Sequence, residues 1–445
     1  MSAVSPVRFP DSSSPDVMRR RAWWLVALNL LIPGSAQLIA GNRRLGKVGV
    51  SCTFIVWGLI VVGLLLYWLW PVAVYTLAAN PTVLAVIQVV LVVLVVIWII
   101  FTLDTLRLVR LVKVRPTARA FVAALAVVGL VGTAGVASYG AVVAGSARSA
   151  ITTIFDSGEY TPPVDGRYNI LLLGGDAGPD RVGLRPDSIS VASVDAQTGA
   201  TVLIGIPRNS EQIRFVKGSP LYGPFPQGYN CGDPCLINYL YTYGEEHPDL
   251  YPDAEKHGSL PGIEAMRDAA EGVLGLKVQY FVLIDMKGFS DLIDALGGIT
   301  IDVPERTPLA AEVPGAKPFA WVEAGKQHLG GNTALWYARS RFNTTDYSRM
   351  SRQRDVQEAI LREFTPANVL LKFQGVAEAG KQVVKTDIPS VMLGLFVDLA
   401  SKSRKLPVTR LELVPPDFNP AHPDYDKIAQ AVAAAIAKST PTPQP

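Results

Sequence analysis

Between Val48 and Leu103 the chain carries no Asp, Glu, Lys or Arg. A helix needs about 20 apolar residues to cross a bilayer, so this one stretch has room for two spans. Pro71 and the Asn80-Pro81 pair divide it. One span is expected near 50–70, ending in the interfacial aromatics Tyr67, Trp68 and Trp70, and the next near 83–103. A third uncharged run, Ala120–Ser146, is long enough to cross with some tilt. An earlier run, Ala22–Asn42, has the length but is interrupted by Pro33-Gly34-Ser35, and it reads as a re-entrant or interfacial hairpin.

Basic residues orient these segments, because short Lys- and Arg-rich loops stay in the cytoplasm. The clusters are Arg19-Arg20-Arg21, then Arg43, Arg44 and Lys47, then Arg107, Arg110, Lys113, Arg115 and Arg119. A hairpin at 22–42 keeps all three clusters inside. The expected order is a cytoplasmic segment 1–21, a multi-pass membrane region 22–146, an extracytoplasmic domain 165–438 and a disordered tail 439–445. Composition agrees with a partner in lipid, since only 18% of residues are charged against about 25% in soluble chains. The 41 basic and 38 acidic residues leave a net +3. That is too balanced for a nucleic-acid binder, so no nucleic-acid partner is expected.

Beyond Gly166 the pattern changes to an α/β domain. Tyr168–Gly174, Ser188–Val194 and Thr201–Ile206 read as buried strands, and Ile263–Leu274, Phe289–Leu296, Arg352–Phe364 and Tyr425–Ala437 as helices. Cys231 and Cys235 are four apart across a Gly-Asp-Pro turn, which suits a small loop disulfide in an oxidising compartment. A metal site asks for more ligands than this segment offers. His247 and His257 also lack close companions of metal-ligating type, so no zinc site is expected.

The charges cluster at strand boundaries. Asp176 ends the first strand, Arg185-Pro-Asp187 starts the second, and Arg208-Asn209 follows the third. Later, Tyr337-Ala-Arg339-Ser-Arg341 places two arginines on one face if the segment is extended. Arg349, Arg352 and Gln353 then lie within about one turn of a helix. Singly, each element has a bland explanation as a turn residue, a surface pair or a solvated helix start. Together, carboxylates that hold a hard divalent cation and arginines that grip phosphate oxygens form a kit suited to a pyrophosphate. Lys287 and His328 read as ordinary surface groups, and Tyr337 as packing.

At these residues the chain resembles the LytR–CpsA–Psr family of cell-wall phosphotransferases. The matching segments are 169–176, Arg185-x-Asp187, Ile206-Pro-Arg208, 295–304, 325–341 and Asp346-Tyr-Ser-Arg-Met-Ser-Arg-Gln353. Asn209 stands where the family commonly has Asp. The resemblance implies a central mixed sheet flanked by helices. It also implies transfer of a glycopolymer from a polyprenyl-pyrophosphate carrier to a muramic-acid hydroxyl of peptidoglycan, as a phosphodiester. On that reading Asp176 and Asp187 hold Mg²⁺, or Mn²⁺ in its place. Arg185, Arg208, Arg339, Arg341, Arg349, Arg352 and Gln353 bind the pyrophosphate, and Asp176, Asp187, Arg208, Arg339 and Arg341 form the catalytic set. Whether one carboxylate instead takes the acceptor's proton is left open by the sequence. The lipid calls for an apolar groove. The Ala-, Val-, Gly- and Arg-rich composition fits a high-GC bacterium and suggests arabinogalactan, with polymer identity open. The alternatives are a lipid-pyrophosphate hydrolase and a non-catalytic wall regulator that binds polyanions, which would gain nothing from Asp176 and Asp187.

Overall fold

The computed structural model describes residues 7–8, 10–11, 13–155, 158–176, 185–232, 234–310, 317–342, 344–363 and 384–439, except the side chains of Asp176 and Val384. The chain forms two compact units, Met1–Arg148 and Ser149–Pro445. Residues 440–445 of the expected tail lie outside the described residues.

The first unit is helical: α1 (Pro15–Leu31), α2 (Ser35–Ala40), α3 (Arg43–Leu69), α4 (Pro71–Ala78), α5 (Pro81–Val109) and α6 (Pro116–Ile154), the last running past the unit boundary. Capping explains the starts of α3 and α5. The Asn42 side chain accepts from the amides of Arg44 and Leu45, and Asn80 accepts from those of Thr82 and Val83, with Pro81 pre-set in the first turn. Helices α3, α5 and α6 are each long and apolar enough to cross a membrane by length and composition. The runs 83–103 and 120–146 fall inside α5 and α6, and the run 50–70 passes the end of α3 by one residue.

The run 22–42 is not one helix. It breaks where Gly34 turns at φ +95°, a conformation that glycine reaches at little cost. The resulting α1–α2 hairpin is fastened to α5. Arg21 donates to the carbonyl of Leu108 at 2.8 Å, and Gln37 donates to the carbonyl of Phe101 and to Thr105 Oγ1, both at 3.0 Å.

The second unit is built on a mixed six-stranded sheet. Its strands are β1 (Arg167–Asp176), β2 (Arg185–Asp195), β3 (Thr201–Ile206), β4 (Tyr280–Asp285), β9 (Val384–Thr386) and β10 (Thr409–Glu412), in the order β10-β3-β2-β1-β4-β9. Between β4 and β9 in the chain come β5 (Ile299–Val303), β6 (Thr307–Leu309), β7 (Ala320–Val322) and β8 (Gly325–Leu329), which pair β5 with β8 and β6 with β7. The helices are α7 (Tyr239–Glu246), α8 (Pro261–Leu274), α9 (Met286–Leu296), α10 (Gly331–Arg339), α11 (Asp346–Glu363), α12 (Leu393–Ser403) and α13 (Tyr425–Ser439).

Strand alternation divides the sheet into two unlike faces. Leu171, Leu173, Ile189, Val191, Val202 and Ile204 point to one side and are essentially sealed beneath α7, α8 and α13. Ile170, Leu172, Val282 and Ile284 point to the other side, beneath α9, α11 and α12, and are only half-buried. Apolar side chains that remain partly open under a layer of helices mark a cavity.

Candidate active site

The register of the sheet gathers the strand-end charges. β1 pairs antiparallel with β2, setting Asp176 opposite Arg185, and β2 pairs antiparallel with β3, setting Ile189 opposite Ile206. The end of β1, the start of β2 and the residues after β3 therefore share one edge. β4 runs parallel to β1, with Gly175 beside Asp285, and delivers Met286 to the same edge.

Arg208 forms an ion pair with Asp187 there. The start of α11 brings Asp346 to this pair, with its Oδ1 3.5 Å from Arg208, 3.5 Å from Arg341 and 3.0 Å from Arg349. Arg349 also donates to Asp346 Oδ2 at 3.1 Å and to the Asp187 carbonyl at 3.2 Å. Its side chain is 2% exposed. Burial, and after it the positive Arg208, holds the Arg349 guanidinium below its ordinary pKa. Three guanidiniums are thus fixed on two carboxylates, an arrangement with positive charge in excess and already oriented to receive an anion.

Asp346 is the residue that sequence reasoning quoted and gave no role. Its signal was available, because an acid three residues before Arg349 in the first turn of a helix is placed to hold it.

Two expectations are corrected. The segment 337–341 is not extended, since α10 continues through Arg339 and ends at Ser340 (φ −56°, ψ 132°). The two arginines consequently part. Arg341 goes to Asp346, while Arg339 turns toward Met286 Sδ and sits 5.5 Å from the Trp336 ring centroid. Arg352 does not join the cluster either. It is 6% exposed and donates to the carbonyls of Tyr337 and Ser340, holding the loop's shape from below.

Other expected residues take definite places. Gln353 lines the cavity with a buried Oε1 that has no protein partner. Arg185 is exposed, stacked at 4.6 Å over Tyr239. Asp176 has its backbone at the site edge, and its side chain lies outside the described residues. Tyr337 is fully buried and donates to Asp355 at 3.3 Å, a packing role. Lys287 pairs with Asp291 on the surface. Cys231 and Cys235 are bonded, with their Cα atoms 5.2 Å apart.

Beneath the cluster runs an apolar cavity of about 520 Å³. Gly174, Gly175, Asp187, Arg339, Arg349 and Gln353 line its polar end. From there it follows β1 back to Ile170, about 17 Å at the usual rise per residue. Glycines at 174 and 175 leave no side chains to plug that end. Among the described residues no three His, Cys, Asp or Glu gather as a metal nest. Magnesium does not require one, because it is commonly held by one or two carboxylates together with substrate phosphates. Asp187, with Asp176 on the neighbouring strand, fits that hard-oxygen donor type.

Comparison with known proteins agrees with these motifs. The LytR_cpsA_psr family model matches residues 139–417. The polyisoprenyl-teichoic acid–peptidoglycan teichoic acid transferase TagV of Bacillus subtilis is 26% identical over 206 residues, 46% of this chain and 45% of TagV. The similarly named TagU of Enterococcus faecalis is 28% identical over 225 residues, 50% of this chain and 61% of TagU. The chain thus spans about half to three-fifths of these relatives' length. The crystal structure of B. subtilis TagV is 22% identical, with a TM-score of 0.44, and covers 62% of this chain and 98% of that one.

Proposed function

We propose, for a chain that belongs to the LytR_cpsA_psr family, that it moves a glycopolymer from a polyprenyl-pyrophosphate carrier onto peptidoglycan as a phosphodiester. The observation that carries this reading is the placement of the arginine–carboxylate cluster at the polar end of the apolar cavity. An anion site alone has no use for a tunnel of Leu, Ile and Val side chains. A lipid site alone has no use for three fixed guanidiniums. A prenyl chain ending in pyrophosphate uses both.

Arg208, Arg341 and Arg349 receive the phosphate oxygens in place of part of their contact with Asp346. They neutralise the charge that builds as the bridging bond breaks. The acceptor hydroxyl attacks the phosphorus that carries the glycopolymer, and polyprenyl phosphate leaves. Mg²⁺ or Mn²⁺ held by Asp187 and Asp176 would supply further positive charge to the same oxygens. The apolar helices of the first unit suit a lipid-linked substrate and a membrane location, with the catalytic unit outside the cytoplasm. Arabinogalactan remains the polymer we favour, on composition.

The test incubates the purified full chain with a lipid-pyrophosphate glycopolymer, Mg²⁺ and peptidoglycan fragments, and identifies products by mass. Phosphodiester-linked polymer together with polyprenyl phosphate is expected. Release of free phosphorylated polymer would make the protein a hydrolase, and binding without turnover would make it a polyanion-binding regulator.

A further inference from the structure

We propose that the buried pair Arg354–Glu412 sets the position of α11 along the sheet, and through it the places of Asp346, Arg349 and Gln353 at the charged edge. The role is one of positioning, and its bearing on turnover rests on the transferase reading above. Arg354 follows Arg349 by five residues, about 7.5 Å along the helix axis.

Strand pairing builds the seat for this pair. Leu172, Ser190, Gly205 and Glu412 stand opposite one another on β1, β2, β3 and β10, so they share the sheet face that carries the lipid cavity. A Cβ at Gly205 would overlap Glu412 Oε2, so the glycine gives the carboxylate room to lie across β3. From α11, Arg354 is 1% exposed and its Nε comes within 3.2 Å of Glu412 Oε1. Arg354 also donates to Gln357 Oε1, and Gln357 Nε2 donates to Ser190 Oγ at 3.2 Å. Two residues before Glu412, on the same face of β10, Arg410 reaches Asp355 at 2.6 Å and also pairs with Glu358.

Energetics separate register from stability. Arg354 Nε and Nη2 and both Glu412 oxygens are sealed from solvent with no hydrogen-bond partner, so the ion pair is in contact but poorly aligned. Burial pushes the Glu412 carboxyl up and the Arg354 guanidinium down from their ordinary pKa values, against the attraction between them. A buried pair of this kind adds little stability, and apolar residues of similar volume often serve as well or better. What apolar residues lack is register. On β10, Arg410 faces the acids Asp355 and Glu358, and Glu412 faces Arg354. A slide of α11 by one turn, about 5.4 Å, would set Glu412 against Glu358 or Met350 instead. Either leaves a buried carboxylate without its counter-charge, which is strongly unfavourable. The same slide would carry Arg349 and Asp346 away from Asp187 and Arg208, because all of them but the last two belong to one helix.

The test uses the full chain with Arg354→Met and Glu412→Leu combined, and separately Glu412→Gln, which keeps shape and removes charge. Spin labels on cysteines placed at Ser351 of α11 and Lys385 of β9, both exposed, report the helix position in a Cys52→Ser background. Wild type should give one narrow distance and both variants a shifted or broadened one, with the thermal midpoint of the apolar pair at or above that of wild type. Transfer kcat should fall at least tenfold in both. In an Arg349→Lys background the same changes should cost less than twofold, since they act through Arg349. An unshifted distance, a midpoint lowered by the apolar pair, or the full tenfold loss repeated beside Arg349→Lys would each overturn the positioning role. Shifted distances in the variants of a chain whose wild type performs no transfer would instead sink the transferase reading and leave the register role standing.

Discussion

Arg349 is the most deeply buried charge of the cluster; its Nη2 reaches both oxygens of Asp346 and the carbonyl of Asp187, and its Nε is buried without a partner. An ammonium keeps the charge and loses the planar fork. Arg349→Lys should therefore lower kcat by about 10²–10³, the usual cost of losing one oriented donor to a developing anion, with circular dichroism unchanged. Asp187→Asn keeps shape without charge, so it should lose rate and, with it, the response of rate to added Mg²⁺ after chelation. Lys287→Ala is the control. It pairs with Asp291 on the exposed surface of the same helix and touches none of the cluster's arginines in that pairing, so turnover should not change measurably.

At the scale of elements, the open face of the sheet separates packing from function. Val282 on β4 packs at the edge of the cluster around Tyr168 and Met392 and is only half-buried because it also borders the lipid cavity. Val282→Phe should fill space and leave the thermal midpoint near that of wild type, while affinity for a polyprenyl-pyrophosphate donor falls at least tenfold in a titration. The helical unit offers the converse case. Gly46 on α3 faces α2 so closely that a Cβ would overlap the backbone of Leu38, and a Cβ at Gly34 would meet Gly49 Cα at 2.7 Å. Close approach of helices through small residues is the normal means of packing in lipid. Gly46→Leu should thus cost about 1–3 kcal/mol or more, read as a lower unfolding midpoint in detergent and faster proteolysis of the α1–α2 hairpin.

For the whole molecule, the strongest expectation concerns topology. The hairpin ends at Gly34 and turns back, and α3, α5 and α6 are the described helices long and apolar enough to cross. With the three basic clusters held inside, a thiol label that cannot pass membranes should reach a cysteine placed at Tyr75 or Gly166. It should not reach one at Arg44 or Arg115. Labelling at Arg44 in intact cells would show that the segment 22–42 spans.

Periodicity and the lack of charge were enough to locate α3, α5, α6 and β1 to β3, because each depends on local chain chemistry: apolar length, Asn-Pro caps, and short apolar runs closed by glycines. The list of charged residues at the site was legible for the same reason. Which of them cooperate was not. Arg208 and Asp187 meet because two antiparallel pairings return the chain to one edge, and Asp346 joins them only because the tertiary fold sets the start of α11 beside that edge. Arg352, one turn from Arg349 and identical in type, donates instead to the carbonyls of Tyr337 and Ser340, because the tertiary fold brings the end of α10 within its reach. Both faces of β1 read alike in sequence, as one short apolar run closed by glycines. One is sealed and the other lines a cavity, since that difference belongs to the helices laid across them and not to the strand itself.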